Sequence, residues 1–343
     1  MTQKPLKIWH INNIAEVGRI LTEGLRKAGV DAEFFDIPKP FSKHSLWVKF
    51  FGTGTRFRGA QELIKRAEAA GVDALHVHYT TAALWFVWGR IPVIIHAHGC
   101  DVRLEPKSPV LDLVNKVVLP RARTVLYSTP DLRKWIDRAA TFLPNPMDLD
   151  LFYPRDVKRD PHLIFLHLQL QEIKGAPMVL AAVRTLKSRH PHLRFQAVAI
   201  GEYVEEARAA GVEVLPRQPR EKLPEILSSA GFILGQVKVG AIGMSELEVL
   251  ALGRTVCCHF EYDDVYAEAP PFVKARTEEE IVAAVERYLE DPKVYSDLES
   301  RARTWLERFH DRDSVCAELA KMYESMGLRE DSLTRDRQPE MMS

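Results

Sequence analysis

Short, mostly continuous apolar runs alternate with amphipathic stretches along almost the whole chain, and this alternation narrows the possible folds more than any other feature. The first cycle is "LKIWHI", then "AEVGRILTEGLRKAG" with Val17, Ile20, Leu21 and Leu25 on one face and Gly29 as the stop, then "AEFFDI". Strand, amphipathic helix and strand in that order make a β-α-β unit. The cycle continues through "DALHVH", "TAALWFVWG", "IPVIIHAH", "SPVLDLVNKVVL", "TVLYS" and "PDLRKWIDRA". Apolar runs of this kind belong to parallel strands covered on both faces. The first half reads as a doubly wound α/β domain.

Between residues 143 and 162, "LPNPMDLDLFYPRDVKRDPH" raises proline and charge density and breaks the periodicity, which marks a linker. A second α/β series follows, from "LIFLHL" and "GAPMVLAAVRTLKSRH" through "LRFQAVAI", "GFILGQV" and "TVCCHF" to three closing helices. A chain of 343 residues exceeds what one hydrophobic core usually holds. The expected organisation is two Rossmann-like domains, 1–150 and 151–310, with a helix at about 311–326 crossing back onto the first. Residues 327–343 lack apolar periodicity and read as a disordered tail. Two doubly wound domains facing across a cleft would bind ligands at the carboxyl ends of their strands.

Lys plus Arg and Asp plus Glu number 47 each, so the net charge gives no reason to expect nucleic acid as a partner. Cys100, Cys257, Cys258 and Cys316 are too few and too irregularly spaced for a disulfide framework or a zinc site. The start has no signal-peptide pattern, and no run approaches the length of a membrane span. The expectation is a cytoplasmic chain, at most peripheral to a membrane.

Four strand ends carry side chains suited to chemistry. In "VGAIGMSELEVLALGRTV", Gly240 and Gly243 allow close backbone approach, and the helix start presents unpaired N–H groups that suit a phosphate. Glu248, a turn into that helix, could accept hydrogen bonds from two neighbouring hydroxyls, as an acidic residue does with a ribose, whereas Glu246 is expected to point elsewhere. The plain alternative is a tight turn with a surface glutamate. In "QLQEIKGAP", Lys174 stands where a strand gives way to a helix, either as a point charge for a diphosphate or as solvated surface. "VIIHAHGCDVR" brings His96, His98, Asp101 and Arg103 to one strand end. His96 and His98 share a strand face, so metal ligation has to be weighed, but no third ligand stands at a telling spacing. The preferred reading of His98 is a residue that orients or polarises a substrate, with a packed strand histidine as the alternative. "HINNIAEVG" is not a G-x-G-x-x-G loop, which argues against a dinucleotide cofactor. Asn12 and Asn13 could line the cleft or build the turn. Finally, "SLWVKFFGTGTRFRG", residues 45 to 59, interleaves aromatic and basic side chains. It could rest on an anionic membrane surface, cover a lipid acceptor, or pack on its own domain as a loop.

Taken in order, the His-Gly-Asp strand end, "STPDL", "FLPNPMDLDLFYP", "IKG" and "G-A-I-G…ELEVLALGRTV" resemble the retaining, nucleotide-sugar-dependent glycosyltransferases of the GT-B fold. That large family includes phosphatidylinositol mannosyltransferases and sucrose synthases. The resemblance runs from about residue 6 to 325 and implies an α/β fold of two facing Rossmann-like domains. It implies that Glu248 holds the donor ribose and that backbone around Gly240, Ala241, Ile242, Gly243, Met244 and Ser245 meets the sugar and diphosphate. Gln171 and Gly201 complete the donor side. Lys174 would neutralise the leaving diphosphate, His98 would contact the transferred sugar, and Asp101 joins them in the catalytic set. Asn12 and Asn13 fall on the acceptor side. The family needs neither metal nor cofactor, because cationic groups and a helix start stabilise the developing charge. The donor would be a nucleoside-diphosphate sugar, UDP-linked by slight preference. The acceptor is open between lipid-linked and small-molecule hydroxyls, with peripheral membrane contact in view.

Three positions depart from the family pattern. Gln171 stands where many members have Arg, Gly240 where many have a second Glu, and Gly235-Gln236 where Asp-Gln is common. Losing one charge-assisted contact to the leaving group costs on the order of a few kcal/mol of transition-state stabilisation. An inactive homologue that binds nucleotide sugar or a partner protein is therefore the alternative function.

Overall fold

The computed structural model describes residues 4–37, 46–103 and 109–328, with backbone only at 46–55. The chain divides into two compact units, Met1–Pro146 with Arg312–Ser343, and Met147–Asp311. The tail expected to be disordered lies outside the described residues from 329 onward.

The first unit runs β1 (Lys7–Ile11), α1 (Val17–Lys27), β2 (Asp31–Phe35), α2 (Leu46–Ala69), β3 (Ala74–His78), α3 (Thr80–Ala83), β4 (Val93–Ala97), α4 (Pro109–Val118), β5 (Thr124–Tyr127) and β6 (Thr141–Phe142). Its sheet is parallel with strand order β2-β1-β3-β4-β5-β6. Strand order reverses between β1 and β3, so ligands are expected at the carboxyl ends of those two strands. The central strands are sealed on both faces: every residue of β3 and β4 is buried, His76, His78 and His96 among them.

The segment at 45–59 is helical from Leu46 on rather than a loop; Ser45 and the side chains of 46–55 lie outside the described residues. Farther along the same helix, Ala60, Ile64 and Ala67 are buried at a spacing of four and three residues. A helix anchored by such a stripe extends at one hydrogen bond per added residue, which carries the glycines at 52 and 54 along.

The second unit runs β7 (Asp160–Leu166), α5 (Ala176–Arg189), β8 (Arg194–Val198), α6 (Val204–Ala209), β9 (Glu213–Leu215), α7 (Leu223–Ser229), β10 (Ala230–Leu234), α8 (Met244–Ala251), β11 (Cys257–Cys258), β12 (Val273–Lys274), α9 (Glu278–Glu290) and α10 (Ser296–His310). Strand order is β12-β11-β10-β7-β8-β9, again parallel, with its reversal between β7 and β10. In this unit the core lies between the sheet and α5 and α9, with Val179, Val183, Ile281 and Val285 fully covered. The last helix, α11 (Arg312–Ser325), belongs to the first unit and crosses α1 closely. A Cβ on Gly24 would come within 2.5 Å of Cys316 Sγ. No helix among the described residues is long and apolar enough to cross a membrane.

Candidate active site

In the second unit the chemistry-bearing side chains gather at the carboxyl ends of β7 and β10, where strand order reverses. His167 follows β7 directly, and Glu248 sits in α8 after β10. Glu248 is 7 % exposed. Its Oε2 lies 2.9 Å from His167 Nε2, and its Oε1 accepts from Arg220 Nε at 3.3 Å. Arg220 rests on the ring of Phe152 at 5.1 Å, and its Nη2 is buried without an acceptor. A carboxylate held between an imidazole and a guanidinium keeps a fixed position while retaining lone pairs for hydroxyl donors. The sequence pattern pointed to Glu248 but not to His167 or Arg220. Only the first has a legible signal, a lone polar residue directly after an apolar strand.

The loop from β10 to α8 is tied down from inside. Gln236 is 2 % exposed; its amide donates to the carbonyls of Ala241 at 3.1 Å and His259 at 2.8 Å. Its Oε1 accepts from the N–H of Lys238 at 3.2 Å and of Val239 at 2.7 Å. Glu246 turns back onto the same loop, accepting from Gly243 N at 2.8 Å and Gln236 N at 3.3 Å. It is a loop staple, turned onto the backbone of its own loop. Gly240 needs its glycine, with φ +73 and a would-be Cβ 3.1 Å from both the Glu261 carboxyl group and His259 Cε1. Gly243 does not: its φ of −103 is extended backbone open to any residue. The glycine there gives space instead, since a Cβ would lie 3.0 Å from Glu246 Oε2. Ala241 and Ile242 are buried, and Glu246 caps only the Gly243 N–H at the head of α8, so the N–H groups of Met244 and Ser245 are open to an anion.

Gln171 and Lys174 bracket a short 3-10 turn, residues 172–174, ahead of α5. Lys174 is half-buried, and its ammonium makes no hydrogen bond or ion pair to a described residue. Its backbone carbonyl accepts from Val237 N at 3.1 Å, which joins this turn to the β10 loop. Gly201 buttresses the loop just before Gln171: a Cβ there would fall 2.1 Å from Leu170 O, so only glycine fits.

In the first unit, His98 stands half-buried just past β4. Asp101 is 1 % exposed and wholly engaged with backbone: Oδ1 accepts from His98 N at 3.1 Å and Gly99 N at 2.8 Å, Oδ2 from Thr80 N at 3.1 Å. Burial pushes its pKa up while these N–H groups pull it down. Asp101 thus shapes the turn that presents His98 and has no free edge of its own for substrate. Arg103 does not face outward either; it pairs with Asp131 at 2.7 Å, linking the His-Gly-Asp turn to the "STPDL" segment. Asn12, at φ 72, donates to His78 O at 2.8 Å, and Asn13 donates to Glu16 Oε1 at 2.8 Å. Both build the turn after β1. Asn13 Oδ1 is left buried with no partner.

His98 is not isolated. His10, His76, His78 and His96 lie beside it, fully buried, on β1, β3 and β4. Register explains this: His10 pairs with His76, and His78 with His96. Two trios, His10/His76/His78 and His78/His96/His98, bring ring nitrogens within 4.8 Å of one another. These are the further ligands absent from the local spacing of His96 and His98. Ring geometry opposes an ion in the first trio, however. His76 stacks on both His10 and His78 at interplanar angles of 23° and 18°, which puts the lone pairs in separate parallel planes.

Residues 19–146 match the family model of the glycosyl transferase 4-like domain, and the two parallel six-stranded sheets are shared with solved structures of the GT-B fold. The chain has the same fold as sucrose-phosphate synthase from Thermosynechococcus elongatus (TM-score 0.73, 16% identity, 94% of this chain and 99% of that one). It is similarly close to Anabaena HepE solved with UDP and glucose (TM-score 0.70, 13% identity, 93% and 100%). A glycosyltransferase from Rickettsia africae also shares the fold (TM-score 0.66, 11% identity, 94% and 99%). By sequence, no curated protein matches the chain. The resemblance read from the motif order is borne out in the GT-B fold and in the match of residues 19–146 to a glycosyl transferase 4-like model.

Proposed function

We propose that the chain is a retaining glycosyltransferase that moves a sugar from a nucleoside-diphosphate sugar, with uridine as the favoured base, to a hydroxyl acceptor without a metal ion. The observation that carries this reading is Glu248, buried and braced by His167 and Arg220 in the helix whose first N–H groups, at Met244 and Ser245, have no side-chain acceptor. Glu248 takes the ribose hydroxyls, the N–H groups of Met244 and Ser245 take the diphosphate, and Lys174 neutralises the charge that grows on the leaving group. The preference for uridine draws support from Anabaena HepE, solved with UDP-glucose on the same fold. His98 meets the transferred sugar, and the loops of the first unit serve the acceptor. Cleavage of the anomeric bond passes through an oxocarbenium-like transition state, with the acceptor oxygen arriving on the face the diphosphate leaves.

The neutral amide of Gln171 beside Lys174 favours a second reading, a homologue that binds the nucleotide sugar and transfers nothing. Two features of the second unit weigh against it. Arg220 has a buried donor to spare next to Glu248, and the Glu261 carboxylate fills the space a side chain on Gly240 would enter.

Purified protein, with chelator present, is incubated with UDP-, GDP- and ADP-sugars, and released nucleoside diphosphate is measured by mass spectrometry. Release from one base class, lost in Lys174→Ala, is the expected result. A thermal-shift response to a donor, without release from any donor or with any of a range of hydroxyl acceptors, would transfer the case to the binding homologue.

A further inference from the structure

The histidines of the first unit are joined end to end. His98 Nε2 lies 2.9 Å from His78 Nδ1, and His78 Nε2 lies 3.1 Å from His10 Nδ1. His10 Nε2 lies 3.2 Å from the hydroxyl of Tyr323, which reaches in from α11 and stands 2.5 Å from His76 Nδ1. His76 Nε2 then meets His96 Nδ1 at 3.2 Å. Six side chains thus form one unbranched line, in which every contact joins an Nδ1 or Nε2 to the next ring or to the shared hydroxyl.

Such a line has few proton arrangements. A neutral imidazole carries one N–H and one bare nitrogen, and a hydroxyl donates one proton while accepting another. Burial holds His10 down to about 3 and lowers His76, His78 and His96 as well, and it raises Tyr323, so all are neutral. Once one contact has a direction, every other contact follows. In one polarity all five imidazoles are protonated at Nε2; in the other all five are protonated at Nδ1.

The two ends decide between them. His96 Nε2 is buried with no partner, and His98 Nδ1 is the remaining ring nitrogen outside the line, on a half-buried residue. The Nε2 polarity would seal an unpaired N–H inside the core, whereas the Nδ1 polarity leaves only a bare acceptor there. Orphaned buried donors are the rarer of the two in proteins. We propose that His10, His76, His78, His96 and Tyr323 form a proton-ordered chain that locks His98 as its Nδ1–H tautomer, so that His98 offers a fixed hydrogen-bond donor to a ligand oxygen. His78 is the positioning residue next to His98, and Tyr323, three contacts away, joins the His76–His96 segment to the line. The ligand chemistry that fits is an oxygen acceptor, a sugar hydroxyl or a phosphate oxygen, with no proton transferred. That last step rests on the glycosyltransferase reading; the tautomer does not.

The test uses full-length protein labelled with nitrogen-15 histidine and a long-range proton–nitrogen correlation spectrum, without donor or acceptor. Resonances are assigned with single His→Gln variants. In the wild type at pH 7.5, His98 and its four partners should each show protonated Nδ1 and bare Nε2. In His78→Leu, which removes the ring that holds His98 Nε2, His98 should change from a single tautomer to a mixture. In Tyr323→Phe, His10 Nε2 becomes the buried partnerless end, so His98 should keep its tautomer while His76 and His96 lose theirs. A wild-type His98 protonated at Nε2 overturns the proposal, and so does a single tautomer at His98 in a folded His78→Leu protein. If that variant does not fold, the wild-type spectrum decides alone. One equivalent of Zn2+ should leave these resonances in place; displacement of the cluster's nitrogens by zinc would make it a metal site instead. Because no sugar is present, loss of the tautomer pattern and loss of transferase activity are separate results.

Discussion

Glu248 shows how much one residue's role depends on neighbours the sequence keeps apart. Its place in the helix was legible from the motif, but His167 and Arg220, 81 and 28 residues away, fix the carboxylate. A hydrogen bond to a charged group contributes about 1.5–3 kcal/mol. Glu248→Ala should therefore weaken UDP binding by roughly one to two orders of magnitude, read by calorimetry, with an unchanged far-UV spectrum; unaltered affinity would remove Glu248 from the donor site. Arg254 was visible only as part of the "ALGRTV" motif. It is 3 % exposed, and its guanidinium donates to the carbonyls of Ala230 at 3.0 Å and Gly231 at 2.8 Å while pairing with Glu299 at 2.7 Å. Removing one partner of such a buried set costs about 3–5 kcal/mol. Arg254→Met should lower the urea midpoint of the second unit accordingly, and a loss under 1 kcal/mol would mean that the carbonyls find other donors. Asp101, by contrast, was expected among the catalytic groups. Its backbone contacts could not be seen in "HGCDVR", because two N–H groups of that turn and a third from Thr80, 21 residues earlier, meet on one carboxylate in an arrangement with no sequence period.

Among the elements, those with a strong period were the ones the sequence placed well. The apolar face of α1 and the continuous runs of β3 and β4 follow from burial on one or both sides, a property of each segment alone. The 45–59 stretch has no such period, and its helix depends on an anchor farther along. The crossing of α1 and α11 is a further product of tertiary contact: Gly24 lets the helices approach so closely that Cys316 fills its missing side chain. Overpacking a tight interface costs about 1–3 kcal/mol. Gly24→Val should lower the thermal midpoint of the first unit and loosen α11, seen as faster amide exchange along residues 312–325. Wild-type exchange rates in that helix would show that the crossing has slack.

At the scale of the molecule, the buried histidines make the first unit sensitive to acid. Their folded-state pKa values are depressed, to about 3 for His10, so below the ordinary value of 6.5 the unfolded chain takes up protons that the folded unit refuses. Stability is then full above pH 6.5 and falls as the pH drops below it, by about 1.4 kcal/mol per pH unit for each such imidazole. Urea midpoints for the first unit should be flat from pH 8 to 7 and decline steeply by pH 5.5; a flat profile to pH 5 would mean that the cluster admits protons while folded. The sequence by itself determined the two-unit parallel α/β fold and the order of its strand-end motifs. Periodicity and glycine or proline punctuation are local, and burial on both faces of a parallel strand writes itself directly into residue type. Only the tertiary structure decided which side chains meet. The histidine line needs the register of three strands and a tyrosine from the last helix, and the bracing of Glu248 needs the residue after β7 and a 3-10 turn distant in the chain. Contacts of that kind are fixed by packing geometry, which no local pattern encodes.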